Sequence, residues 1–112
     1  MIHIEHNYKE IAFKVIDWFS DYFDVHPEVD VNIVSYGDIR CWGQTDEHEW
    51  EIGTYVIDVA KDQPLRDYIA TLMHEMIHVK QWVTGKWRGN GEKEAERLQY
   101  KLADRFWREG EI

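Results

Sequence analysis

The stretch TLMHEMIHVKQ, Thr71 to Gln81, places two of the six histidines four residues apart, with a glutamate directly after the first. On a helix turning about 100° per residue, with His74 at zero, His78 falls at about 40° and Gln81 at about 340°, so all three share one face. Leu65, Ile69, Leu72, Met73, Met76 and Val83 fall between roughly 160° and 260°, on the opposite side. The apolar stripe therefore packs on a core, and the histidines face something else. Two imidazoles at i and i+4 can reach one metal ion at about 2.0–2.1 Å from each ring nitrogen. Glu75, one step round the helix, then lies beside the ion without ligating it, where a general base for a metal-activated water belongs. The alternative is a helix that carries two surface histidines and a solvated glutamate.

Pro64 can occupy a first helical turn at no hydrogen-bond cost, and Gly85 can close a helix in the left-handed conformation, which bounds this helix at about twenty residues. GKWRGNG, Gly85 to Gly91, reads as a loop, and Asn90 or Gly91 can cap a last helix running to about Arg108. Upstream, Ile11, Ala12, Val15, Ile16, Phe19 and Phe23 recur at three and four and predict a first helix over about Tyr8 to Phe23. Pro27 ends helical continuation. Val29, Val31, Ile33 and Tyr36 lie in a β-branched, partly alternating strand, and Gly37 and Asp38 suggest a turn. Ile39 to Trp42 then forms a short second strand, and WEIGTYVIDV, Trp50 to Val59, a longer third one. The acidic TDEHEWE between them is expected on the surface. The sum is an α+β fold in one domain over residues 1–112. Its N-terminal helix and its histidine helix pack on one face of a small three-stranded sheet, mixed or antiparallel, and the C-terminal helix closes the site.

Composition narrows the function classes. Six Trp, six Tyr and four Phe in a chain that is 44% apolar supply enough large side chain for a packed core. The single cysteine, Cys41, allows neither an internal disulfide nor a thiolate cluster and fits a reducing, cytoplasmic setting. No stretch reads as an export signal or approaches the ~20 apolar residues of a membrane span. The net charge of −9 is unevenly spread: residues 1–79 hold 16 acidic and 5 basic side chains, residues 80–112 hold 6 and 8. An acidic chain is poorly equipped to neutralise a phosphate backbone, so neither nucleic acid nor membrane is expected as a partner. A monomer acting on a peptide or protein is.

A third ligand must come from elsewhere. No histidine follows His78, so the downstream candidates are Glu92, Glu94, Glu96, Asp104, Glu109 and Glu111. With Glu92 at zero on the last helix, Ala95, Gln99, Leu102, Ala103 and Phe106 fall within about 80° of it, an inward arc, while Glu94 at about 200° points to water. Glu96, at about 40°, stays near the arc. A buried carboxylate needs a partner, which a metal shared with His74 and His78 supplies; the alternative is that Glu92 only favours the helix N-terminus electrostatically.

HEMIHVKQ followed by EKEAE, Glu92 to Glu96, resembles the gluzincin zinc metallopeptidases, whose signature is HExxH with a downstream glutamate at a helix start. Glu92-Lys93-Glu94-Ala95 matches the E-x-x-A form, and the length is similar to that of minigluzincins and of small phage-encoded peptidases carrying HExxHxxQ. The resemblance covers about residues 54 to 106. It implies a zincin-like minimal domain that hydrolyses peptide bonds with Zn²⁺ as cofactor, held by His74, His78 and Glu92, with Glu75 as general base and acid. Glu96 stands where members carry a residue supporting a ligating histidine, or serves as an alternative ligand. The residue chemistry agrees, since two neutral imidazoles and one carboxylate leave Zn²⁺ a net positive charge and an open position.

On that reading GTYVIDV, Gly53 to Val59, is the edge strand that pairs with an extended peptide, with Gly53 allowing close approach. Gln81 bonds a ligand or the following loop, or faces solvent. Tyr55, Tyr100 and His48 are conceivable oxyanion donors, each with a core or surface role as the alternative. His3, His6 and His26 are expected on the surface, and Trp82, Trp87 and Trp107 between the two C-terminal helices. Larger gluzincins draw an oxyanion-stabilising Tyr, His or Arg from a further subdomain, which motivates a second reading: a zincin-like binding module without turnover. A third, a DNA-associated protease sharing an HEMIH-type helix, is opposed by the acidic charge and the missing third histidine.

Overall fold

Asn7 opens the first helix, α1 (Tyr8–Phe23), by accepting the backbone N–H of Glu10, and Asp24 closes it in the left-handed region at φ 52°. The computed structural model describes residues 7–48 and 50–110; His3, His6, Glu49 and Glu111 lie outside them. The helix buries Ile11, Ala12, Val15, Ile16 and Phe19, the stripe that the spacing predicts. Strand β1 (Glu28–Val34), a one-turn helix α2 (Tyr36–Ile39), strands β2 (Gly43–Glu47) and β3 (Thr54–Ala60), and helices α3 (Leu65–Thr84) and α4 (Glu92–Arg108) follow.

The three strands form one mixed sheet in the order β1-β3-β2. β1 runs parallel to β3, with Val31 opposite Ile57, and β2 runs antiparallel to it, with Thr45 opposite the same residue. Tyr55, Ile57 and Val59 point into the core, where α1, α3 and α4 supply Phe19, Tyr68, Leu72, Met76 and Phe106. The opposite face is polar: Asp58 accepts from Asn32 Nδ2 at 3.0 Å and from Gln44 Nε2 at 2.8 Å, tying the three strands together. Among the described residues no helix is long and apolar enough to cross a membrane.

Two strand expectations are corrected. Ile39–Trp42 is not a strand, because Ser35 N–H donates to Asp38 Oδ2 at 3.2 Å and folds Tyr36–Ile39 into a helical turn that Arg40 ends at φ 55°. The second strand is the polar GQTDE that follows, so the first half of the expected acidic loop is sheet. The third strand starts at Thr54, since Gly53 turns the chain at φ 90°. As the most apolar strand it takes the centre, paired on both sides, and therefore cannot be a free edge for a peptide. Pro64 and Gly85 do bound a helix of 20 residues, with Gly85 at φ 68°.

Phe106 is fully buried and meets the Trp18 ring edge-on at 5.9 Å between centroids. Phe106→Ala is expected to lower folding stability by about 3–5 kcal/mol. Urea unfolding with a lower midpoint and an unchanged slope is the check.

Candidate metal centre

His74 and His78 stand on adjacent turns of α3, and Glu92 is the first residue of α4. The two Nε2 atoms are 3.3 Å apart. Glu92 bridges them, Oε1 at 2.8 Å from His78 Nε2 and Oε2 at 3.0 Å from His74 Nε2. One ligand atom from each residue falls within 4.8 Å of the other two. Tetrahedral ligands about 2.0–2.1 Å from a common centre lie about 3.3 Å apart, so the imidazole pair already has the spacing of two zinc ligands.

Gln81 explains why the rings point this way. Its side chain is buried, at 2% exposure, and its Nε2 donates to Gly91 O at 3.0 Å and Glu94 Oε1 at 3.1 Å. Both partners only accept, so the atom that meets His78 Nδ1 at 2.9 Å is the amide oxygen. His78 must then donate from Nδ1, which leaves the neutral ring a lone pair at Nε2. Gln99 Oε1 stands 2.6 Å from His74 Nδ1 in the same role. Two ring lone pairs and a carboxylate thus face one another. Such an arrangement repels itself unless a cation, a proton or a metal ion, lies among them, and three donors with this spacing fit a metal.

The α3–α4 connection is built around the same amide. A Cβ at Gly91 would come within 2.1 Å of Gln81 Oε1, and the residue sits at φ 81°, so the close approach needs glycine twice over. Asn90 Oδ1 accepts the N–H of Glu92 at 3.0 Å and starts α4. Glu94, expected toward water, instead reaches back to Gln81 because the first turn of α4 leans on α3. Glu96 is exposed and is not among the three converging residues; the group on His74 Nδ1 is Gln99. Asp104 is drawn off by Arg66, which grips both its oxygens at 3.0 Å.

Glu75 turns away from the histidine face toward β2 and is 6% exposed. Thr45 Oγ1 donates to its Oε1 at 2.7 Å. Burial pushes its carboxyl pKa up, with the Glu92 charge adding to the rise, while the Thr45 hydrogen bond and the two histidines oppose it. Gly43, above it on β2, has no room for a side chain: a Cβ would lie 2.5 Å from Thr71 Cγ2 and 3.4 Å from Glu75 Oε2. Two hollows, of about 480 and about 420 Å³, share Gly43, His74 and Glu75 in their walls. They form a cleft along β2, with His74 in the wall of both and His78 and Glu92 in the wall of the smaller.

The three conceivable oxyanion donors have the core or surface roles given as their alternative. Tyr55 is buried and stacks on Trp82 at 5.8 Å between centroids. Tyr100 lines the larger hollow, but its hydroxyl donates to Asp67 Oδ1 at 2.6 Å and its ring lies under the Arg66 guanidinium. His48 Nδ1 accepts the Trp50 N–H at 3.2 Å. His26 is exposed and pairs with Asp24. Trp82, Trp87 and Trp107 are each about half exposed rather than packed between α3 and α4, and Trp82 lines the cleft beside His78. Set against known proteins, the chain matches no family model, no curated protein and no solved structure.

Losing the partner of a ligating imidazole usually costs about 10–100-fold in metal affinity, and Gln81→Ala is expected to weaken zinc binding by that factor in a calorimetric titration. A second expectation concerns pH. The folded Glu75 carboxyl holds its proton more tightly than the unfolded one, so its ionised form destabilises the fold above the folded pKa, and this burden disappears as pH falls through that value toward the unfolded one. Glu75→Gln should therefore raise the melting temperature of the metal-free protein at neutral pH, with the gap closing in acid.

Proposed function

We propose that the chain is a zinc-dependent peptidase of the gluzincin type, with a zincin-like scaffold reduced to one small domain. The observation that carries the reading is the convergence of His74 Nε2, His78 Nε2 and the Glu92 carboxylate beside a buried fourth group, Glu75. His74, His78 and Glu92 would hold the ion. Zinc bound there supplies Lewis acidity, which acidifies a water and polarises a substrate carbonyl.

The remaining steps belong to the chain's own side chains. Glu75, steadied at Oε1 by Thr45, accepts the proton of the attacking water and returns it to the leaving amine. Its raised pKa makes it a better proton acceptor than an ordinary carboxylate. Among the described residues β2 pairs only with β3, so its outer edge offers main-chain N–H and C=O groups to an extended peptide lying along the cleft. Gly43 keeps that edge close to Glu75.

One observation favours a second reading. None of Tyr55, Tyr100 and His48 hydrogen-bonds toward the triad, which suits a metal-holding module that binds a partner without turnover. Glu75→Gln separates the two. Under the peptidase reading the variant retains one zinc per chain while hydrolysis of a peptide library falls by about 10²–10⁴-fold, and His78→Ala loses zinc and activity together. Wild-type protein that holds zinc yet cleaves nothing supports the module; protein that takes up no zinc defeats both.

A further inference from the structure

We infer that the hollow beside the α3–α4 loop is a docking surface for an acidic polypeptide segment. Lys86, Arg88, Lys93 and Arg97 line a hollow of about 960 Å³ together with Trp87. All four cations are exposed, and among the described residues none is in an ion pair. The one carboxylate in the wall, Glu94, accepts from Gln81 and leaves the lining with an excess of three positive charges. The start of α4 adds its partial positive charge at the same place. A chain of net charge −9 thus concentrates four cations against one carboxylate, with a half-exposed indole, 47% accessible, around one concavity.

Asn90 lines both this hollow and the one that holds His74, His78 and Glu92, so an extended chain in the cleft can continue into it. A short run of Asp and Glu matches four local cations, and Trp87 can cover the aliphatic stems of such side chains. A long nucleic acid fits less well, because the sequence of residues 1–79 carries 16 acidic against 5 basic side chains. The inference deepens the peptidase reading by naming its substrate class, polypeptide with an acidic run beside the scissile bond.

Binding tests the docking without needing cleavage. Fluorescence anisotropy of a labelled oligoglutamate peptide with the full chain at low ionic strength should show binding that weakens as salt is added, while an oligoglutamine peptide of the same length does not bind. The combined variant Lys86→Gln, Arg88→Gln, Lys93→Gln, Arg97→Gln should bind oligoglutamate roughly tenfold or more weakly, the size expected when four exposed charge pairs vanish together. All four residues are exposed, so an unchanged melting temperature and zinc content confirm that the variant is folded. No binding by the native chain, equal binding by the variant, or tighter binding of oligothymidylate than of oligoglutamate overturns the proposal. Salt-sensitive oligoglutamate binding with no peptide cleavage supports the docking surface and defeats the peptidase reading; cleavage that ignores acidic runs does the reverse.

Discussion

The amide of Gln81 has one nitrogen and one oxygen to offer, and both are committed inside the protein: the nitrogen to Gly91 O and Glu94, the oxygen to His78 Nδ1. From that commitment the rest of the site follows. The imidazole is locked in the tautomer with its lone pair at Nε2, the loop is pulled against α3, and the first turn of α4 arrives where Glu92 can only face the two rings. A buried side chain with all its hydrogen bonds made is stiff, and a stiff orienting group is what a small metal centre needs from its surroundings. The cost is electrostatic. Three electron-pair donors are held together, and a cation bound among them would relieve the repulsion.

The sheet contributes a different constraint. β3 is central and apolar, so the edge that faces the cleft falls to β2, a strand polar enough to remain in solvent yet anchored through Gln44 to Asp58 and through Thr45 to Glu75. Gly43 lets this strand lie close over α3. The carboxyl of Glu75 is thereby buried from above while staying one helical step from the ligand pair. The same packing that fixes its direction raises its pKa, which links the fold of a polar edge strand to the chemistry proposed for the neighbouring carboxylate.

Much of this was legible in the residues before any coordinates. The helical period of α1, the Pro64 and Gly85 boundaries of α3, and the inward arc that holds Glu92 all depend on local geometry, and local geometry is what a sequence carries. Strand placement is different. GQTDE has no apolar alternation because its inward positions are Gly43, which has no room for a side chain, and Thr45, which bonds Glu75, and its pairing with β3 depends on residues eight to sixteen positions away. The fate of Gln99 and Gln81 was half legible: both fall on the right helical face, but nothing in the spacing says that each amide oxygen would meet the Nδ1 of a different histidine. Glu94 defied its angle because a long side chain in a first turn can bend back toward a neighbouring helix. The tryptophans misled for a simpler reason, since large aromatic rings suggest burial while Trp82, Trp87 and Trp107 line concave surface.

The central claim is that two imidazole nitrogens and one carboxylate share a metal ion, and X-ray absorption at the zinc edge of the zinc-loaded protein reads that shell directly. The account predicts four nitrogen or oxygen neighbours at about 2.0–2.1 Å, with the outer-shell scattering of two imidazoles and no sulfur. A shell without imidazole scattering, or one containing sulfur from Cys41, would contradict it.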